Sequence, residues 1–169
     1  MSGSAPAPRT VVCRTLPGRA GRAVLETGSG ERLGQLGLGD PRRGALQVGG
    51  AAFRIERKAP GFWRLRCGSG AEGGSAQREH GGAPAFRLAF PDARWRLAPL
   101  HGRFGRLVGW TLDDGGTVWG ELHTRPGFRS NRLVLELLSP APAARIGFCL
   151  WLSGIHWVGT AGAWVAARA

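Results

Sequence analysis

A chain of 169 residues, 43% hydrophobic, is long enough for one domain with a sizeable core and too apolar for global disorder. Its net charge of +12 comes from 22 arginines and one lysine against 11 acids, a surplus that concentrates anionic partners, either phosphodiester chains or acidic lipid headgroups. Three cysteines (Cys13, Cys67 and Cys149), odd in number and without recurring spacing, do not make a disulfide framework and read as reduced thiols of a cytoplasmic protein.

Residues 1–18 are rich in Pro, Ala and Ser and carry arginine without any acid. They read as a flexible N-terminal tail, with room for a short strand at RTVVCRT. No apolar core of a secretory leader is visible there.

From Gly21 to Leu138 the chain repeats short apolar–polar alternations broken by Gly, Pro or Asp. In AAFRIER, Phe53 and Ile55 share one face and Arg54 and Glu56 the other; FWRLRC sets Trp63, Leu65 and Cys67 against Arg64 and Arg66. AFRLAF aligns Phe86, Leu88 and Phe90 opposite Arg87, ARWRLAP puts Trp95 and Leu97 opposite Arg94 and Arg96, and RLVLELL aligns Leu133, Leu135 and Leu137. Period two repeated in this way predicts half-buried antiparallel strands. DDGG between VGWTL and TVWGEL reads as a hairpin turn, and FPDARW as another reversal at Pro91. Many short strands at spacings of about 8 to 12 residues predict a sandwich or a barrel.

The pattern changes near the end. Ser139 is placed to cap a helix with Pro140 in its first turn, and Gly159 to end it. IGFCLWLSGIHWVGTAGAWVA, Ile146 to Ala166, has no charged side chain and, as a helix, reaches roughly 30 Å, the thickness of a bilayer core. A helix apolar all round is either enclosed by protein or immersed in lipid.

Motifs for chemistry are absent. Gly68, Gly70 and Gly73 form a GxGxxG spacing after an apparent strand, but more Gly, Ser and Pro follow where a phosphate-binding helix is needed, so a flexible loop is expected. His80, His101, His123 and His156 are dispersed, and Asp113 and Asp114 are accounted for by the turn, so neither a metal nor a cofactor is expected. No catalytic motif stands out, and the chain reads as non-enzymatic. Trp63, Trp95 and Trp151 read as core, Trp110 or Trp119 as surface or membrane-interface residues.

The order of elements resembles the tubby C-terminal-like superfamily, which includes tubby proteins, phospholipid scramblases and LURP-one-related proteins. The resemblance rests on LQVGGAAFRIERKAPGFWRLR, FRLAFPDARWRLAPLHGRFGRLVGW, WTLDDGGTVWGEL, GFRSNRLVLELLSP and AARIGFCLWLSGIHW, and covers roughly residues 21–158. Two stretches depart from it: the glycine-rich CGSGAEGGSAQREHGG, where such a barrel needs paired strands, and the apolar tail after Trp157. The resemblance implies a closed barrel wrapped around its C-terminal helix, which is the enclosed alternative for the apolar segment, and association with anionic membrane lipid.

The expected fold is therefore mainly β: about twelve short antiparallel strands in a closed barrel around one hydrophobic C-terminal helix. Residues 19–158 are expected to form the barrel, with the helix at about 140–158, and 159–169 an apolar tail. Alternation places Arg54, Arg64, Arg66, Arg87, Arg94 and Arg96 outside, with Arg103 and Arg106 of HGRFGR in a connection. These eight are the candidate residues for anionic phospholipid or phosphoinositide headgroups, on a cytoplasmic protein peripheral at a membrane. Two alternatives stay open: a nucleic-acid-binding β-domain, and a membrane-anchored or lipid-scrambling protein that uses its last helix.

Overall fold

The computed structural model describes residues 9–15, 21–81, 84–105, 107–126 and 131–161. The strands are β1 (Thr10–Thr15), β2 (Arg22–Thr27), β3 (Arg32–Asp40), β4 (Arg43–Val48), β5 (Ala51–Ala59) and β6 (Phe62–Cys67). They continue as β7 (Glu72–Arg78), β8 (Phe86–Phe90), β9 (Ala93–His101), β10 (Leu107–Asp113), β11 (Val118–Pro126) and β12 (Asn131–Leu137), followed by helix α1 (Ala143–Ala161). Each strand runs antiparallel to its sequence neighbours, and β1 also pairs with β12, so the sheet closes as a twelve-stranded barrel with no free edge. β1 lies within the segment expected as a tail, at the short strand foreseen in RTVVCRT.

The alternating residues point as their pattern requires. Ile55, Trp63, Leu65, Phe86, Leu88, Phe90, Leu97, Leu133, Leu135 and Leu137 are all buried in one core, with Phe53 and Trp95 packed against it. DDGG makes its turn between β10 and β11: the Asp113 carboxylate accepts the Gly115 amide at 3.0 Å and Asp114 that of Thr117 at 3.2 Å.

The helix fills the barrel. Every residue from Ile146 to Ser153 is buried, which an α-helix with about 3.6 residues per turn meets only when protein surrounds it. Its faces fit by size exchange with β4. A Cβ at Gly44 would stand 2.4 Å from Trp151 Nε1, and one at Gly147 2.6 Å from Leu46 Cδ1, so each glycine makes room for the large residue facing it. Among the described residues the one buried hydroxyl, Ser153, donates to the Cys149 carbonyl at 2.7 Å, while the indole Nε1–H groups of Trp110 and Trp151 are buried without an acceptor. Burial raises the Cys13 thiol and pushes that of Cys149 up to about 12, so both are inert. Among the described residues no helix is long and apolar enough to cross a membrane.

Four expectations are corrected. The glycine-rich loop is instead a tight turn leading into β7, a paired strand. Gly74 is small because its neighbour is large: a Cβ there would lie 2.6 Å from the Phe90 ring. The helix starts at Ala143, three residues beyond the expected Pro140, where the Pro142 carbonyl accepts the amides of Arg145 and Ile146 at 3.0 and 3.2 Å. It continues past Gly159 to Ala161. Trp110 is fully buried, 6.2 Å from the Phe86 ring, and Trp119 packs on the core beside Trp95 at 4.4 Å.

The antiparallel order puts the β8–β9 turn and the start of α1 at the same end of the barrel. There Arg145 seals the interior. Its guanidinium lies 5.0 Å from the Phe90 ring and 5.6 Å from Trp95, and an ion pair joins it to Asp92 of the turn. The side chain is 17% exposed, that of Asp92 71%, so the ring contacts outweigh the solvent-screened ion pair. Arg145→Ala is expected to lower stability by about 1–2 kcal/mol and Asp92→Asn by less, in urea melts of the two variants.

Candidate anion-binding face

The outer surface of β5–β9 carries most of the expected arginines, because on each of these strands the opposite face is committed to the core. Register decides how they meet. Arg54 stands directly opposite Arg66 across β5–β6, and Arg87 directly opposite Arg96 across β8–β9. Between them β7 presents Ser75 and Gln77, polar but uncharged, opposite Arg64 and Arg87 respectively. Like charges directly opposite each other destabilise a sheet unless something neutralises them.

The two arginine pairs are treated differently. At β8–β9 the carboxylate of Glu79 takes both guanidinium groups, accepting Arg87 Nε at 3.0 Å, Arg96 Nε at 3.1 Å and Arg96 Nη2 at 2.9 Å. The hydrogen bond from Arg96 is the main cause that holds the Glu79 carboxyl below its ordinary range, and it raises Arg96 in return. Elsewhere on the barrel Arg14 is likewise matched, by Glu26 at 2.7 Å.

At β5–β6 no such partner is supplied. Glu56 is the register partner of Arg64, but its carboxylate is joined to Lys58, which is the main cause of its lowered pKa, with Arg66 and Arg54 acting on it only through longer-range charge. Glu72 is the register partner of Arg66 on β7, but the ladder shifts between Leu65 and Arg66. Among the described residues no carboxylate lies within ion-pair distance of Arg54, Arg64 or Arg66. The Nε–H groups of Arg64 and Arg66 are shielded from solvent and have no acceptor, while the Arg64 guanidinium lies 5.6 Å from the Phe62 ring. Three guanidinium groups thus face outward from one two-stranded ladder with donors unused, an arrangement that matches the oxygens of a phosphate or a carboxylate.

The remaining expected residues are placed apart from that cluster. Arg94 lies on β9, where Nη1 donates to the carbonyls of Phe90 at 2.5 Å and Ala93 at 3.0 Å. Arg64 and Arg94 share one cross-strand row through Ser75 and Ala89, three strand spacings apart, or roughly 14 Å. Arg103 lies in the 3-10 turn beyond β9, past the opposite end of that strand from Arg94 and Arg96. Arg106 lies outside the described residues.

The Glu79 bridge was not foreseen. It joins residues 8 and 17 positions apart, a spacing that carries no local signal. The Cys67 thiol, at the last residue of β6, is held below its ordinary value chiefly by hydrogen bonds from Ser69. Among the described residues no group of three or more His, Cys, Asp or Glu side chains converges as a metal would require.

Fold and surface together define a closed antiparallel barrel filled by its C-terminal helix, with a basic outer ladder. A protein of Arabidopsis thaliana solved by X-ray crystallography is similar to it, with a TM-score of 0.58 over 91% of this chain and 94% of that one at 15% identity, a likeness of fold. No family model matches the chain, and no curated protein does.

Proposed function

We propose that this protein is a non-enzymatic, tubby-like barrel that attaches to anionic phospholipid or phosphoinositide headgroups through the outer face of β5–β6. The observation that carries the reading is the cluster of Arg54, Arg64 and Arg66, outward-facing, without carboxylate partners, and with two shielded Nε–H donors that lack acceptors. A phosphoryl oxygen supplies both the acceptor and the charge that the cluster lacks, and guanidinium is the side chain best shaped to use it. Attachment is then peripheral, at a membrane surface.

The nucleic-acid alternative needs aromatic rings interleaved with the arginines so that bases can stack. On the described outer face of β5–β9, alternation puts only Phe62 outside, and Arg64 already covers it. Trp95 reaches an open cleft beside Arg94 and Arg96, but its ring is held edge-on by Phe90 and Trp119. The reading by headgroup charge requires no such rings.

Flotation with phosphatidylcholine vesicles, with and without phosphatidylserine or a phosphoinositide, tests the proposal. The protein is expected to float only with the anionic vesicles. At about 1 kcal/mol for each basic residue near a charged leaflet, Arg54→Gln with Arg66→Gln is expected to weaken binding by about tenfold or more. Equal flotation of the double variant overturns the assignment to β5–β6. Binding to single-stranded oligonucleotide with steep salt dependence, and not to vesicles, replaces the lipid by a nucleic acid.

A further inference from the structure

The Arg87–Arg96 pair already has the form of an occupied anion site. The Glu79 carboxylate straddles two facing guanidinium groups, bidentate on Arg96 and single on Arg87, as two oxygens of a phosphate would. Its side chain is only 19% exposed, whereas Arg87 is 79% and Arg96 45% exposed, so the acid is tucked beneath the bases it bridges. Glu79 does not belong to a strand. It follows the end of β7, and its amide donates to the Ala85 carbonyl at 2.8 Å, which pins it at the base of the β7–β8 connection.

Beside the pair lies an open cleft of about 320 Å³, whose walls include Arg87, Arg94, Arg96, Gln77 and Trp95, three arginines against one acid, Asp114. That volume is at the small end of ligand sites and suits a single phosphorylated group. Donors remain for it. Glu79 engages only Nε of Arg87 and Nε and Nη2 of Arg96, and Arg94 spends Nη1 alone on carbonyls.

We propose that the Arg87–Arg94–Arg96 cleft binds a phosphomonoester dianion and that Glu79 is its built-in competitor, displaced when the ligand arrives. A dianion has the advantage of a second charge and a third oxygen, enough to reach Arg94 as well as the bridged pair. The carboxylate has the advantage of attachment to the same chain, which gives it a high effective concentration. The native protein therefore binds weakly, and selectively for ligands of at least two negative charges. This cleft is separate from the β5–β6 cluster and does not depend on it.

The test is calorimetric titration of the full chain with inorganic phosphate, alongside sedimentation with vesicles that carry phosphatidic acid, a monoester, or phosphatidylglycerol, a diester. Glu79→Gln removes the competing charge and keeps the shape; it is expected to tighten phosphate binding by about tenfold or more. Adding Arg96→Ala to that variant is expected to abolish the gain, while adding Arg54→Gln with Arg66→Gln leaves it intact. Recruitment to phosphatidic acid vesicles in excess of that to phosphatidylglycerol vesicles, and lost on Arg96→Ala, assigns the ligand to lipid, and phosphate binding without that excess assigns it to a soluble phosphomonoester. No tightening in Glu79→Gln, or a gain that survives Arg96→Ala, overturns the proposal. For the native chain, the Nε–H resonances of Arg87 and Arg96 are expected to move as phosphate is added. Resonances that stay still up to saturating phosphate overturn it without any variant.

Discussion

Truncation after Ser139, which removes α1, is expected to leave a chain that aggregates instead of folding. Ile146, Phe148, Leu150, Trp151 and Leu152 are each at most 1% exposed, and the inward residues of the strands pack on them. At roughly 1.5–3 kcal/mol for each large apolar side chain buried, these five contribute on the order of 10 kcal/mol, comparable to the whole stability of a domain. Without them the barrel would enclose an apolar void that close packing does not tolerate. Fractionation without detergent checks this: the full chain is expected in the supernatant and the truncated chain in the aggregated pellet. A full chain that requires detergent, beside a truncated chain that stays soluble with a cooperative melt, would make α1 a membrane anchor.

The second large effect concerns the contact between helix and wall. Trp151→Ala is expected to cost about 3–5 kcal/mol, as buried large-to-small changes do. Gly44→Ala is expected to destabilise as well, by about 1–3 kcal/mol, because the new methyl would lie 2.4 to 2.9 Å from three atoms of the indole. That sign opposes intrinsic preference, since alanine in a strand ordinarily gains about 0.5–1 kcal/mol over glycine. In a Trp151→Ala background the indole is gone, and Gly44→Ala is expected to become neutral or stabilising. Urea denaturation of the two single variants and the double variant measures the coupling. Additive losses would mean that Gly44 and Trp151 do not interlock.

Much of the fold was legible in local pattern. Arg54 outside and Ile55 inside follow from strand geometry, in which adjacent side chains point to opposite faces. A segment with no polar face from Ile146 onward had to be enclosed by protein or immersed in lipid, and the resemblance pointed to a barrel as the enclosure. Pattern failed where it was interrupted. Val108 is 42% exposed although Trp110, two residues on, is fully buried, because the ladder between β9 and β10 shifts between Leu107 and Gly109. A bulge of this kind changes the face that later residues present, and alternation alone gives no sign of it. β7 escaped notice because its glycines lack the apolar bulk that marks a strand; the bulk at that place is Phe90, which belongs to β8.

The candidate face divides along the same line. Composition and alternation by themselves determined that this chain is a β-rich domain with arginines facing outward, followed by a long apolar helix, since both depend only on neighbours along the chain. That the helix lies within the barrel, and which arginines meet, were decided by tertiary structure. Arg54 faces Arg66 because β5 and β6 pair in one register, and Glu79 neutralises Arg87 and Arg96 because the β7–β8 connection returns it beneath them. Charge acts through space and falls off with distance and solvent, so residues far apart in sequence become partners only when the barrel closes.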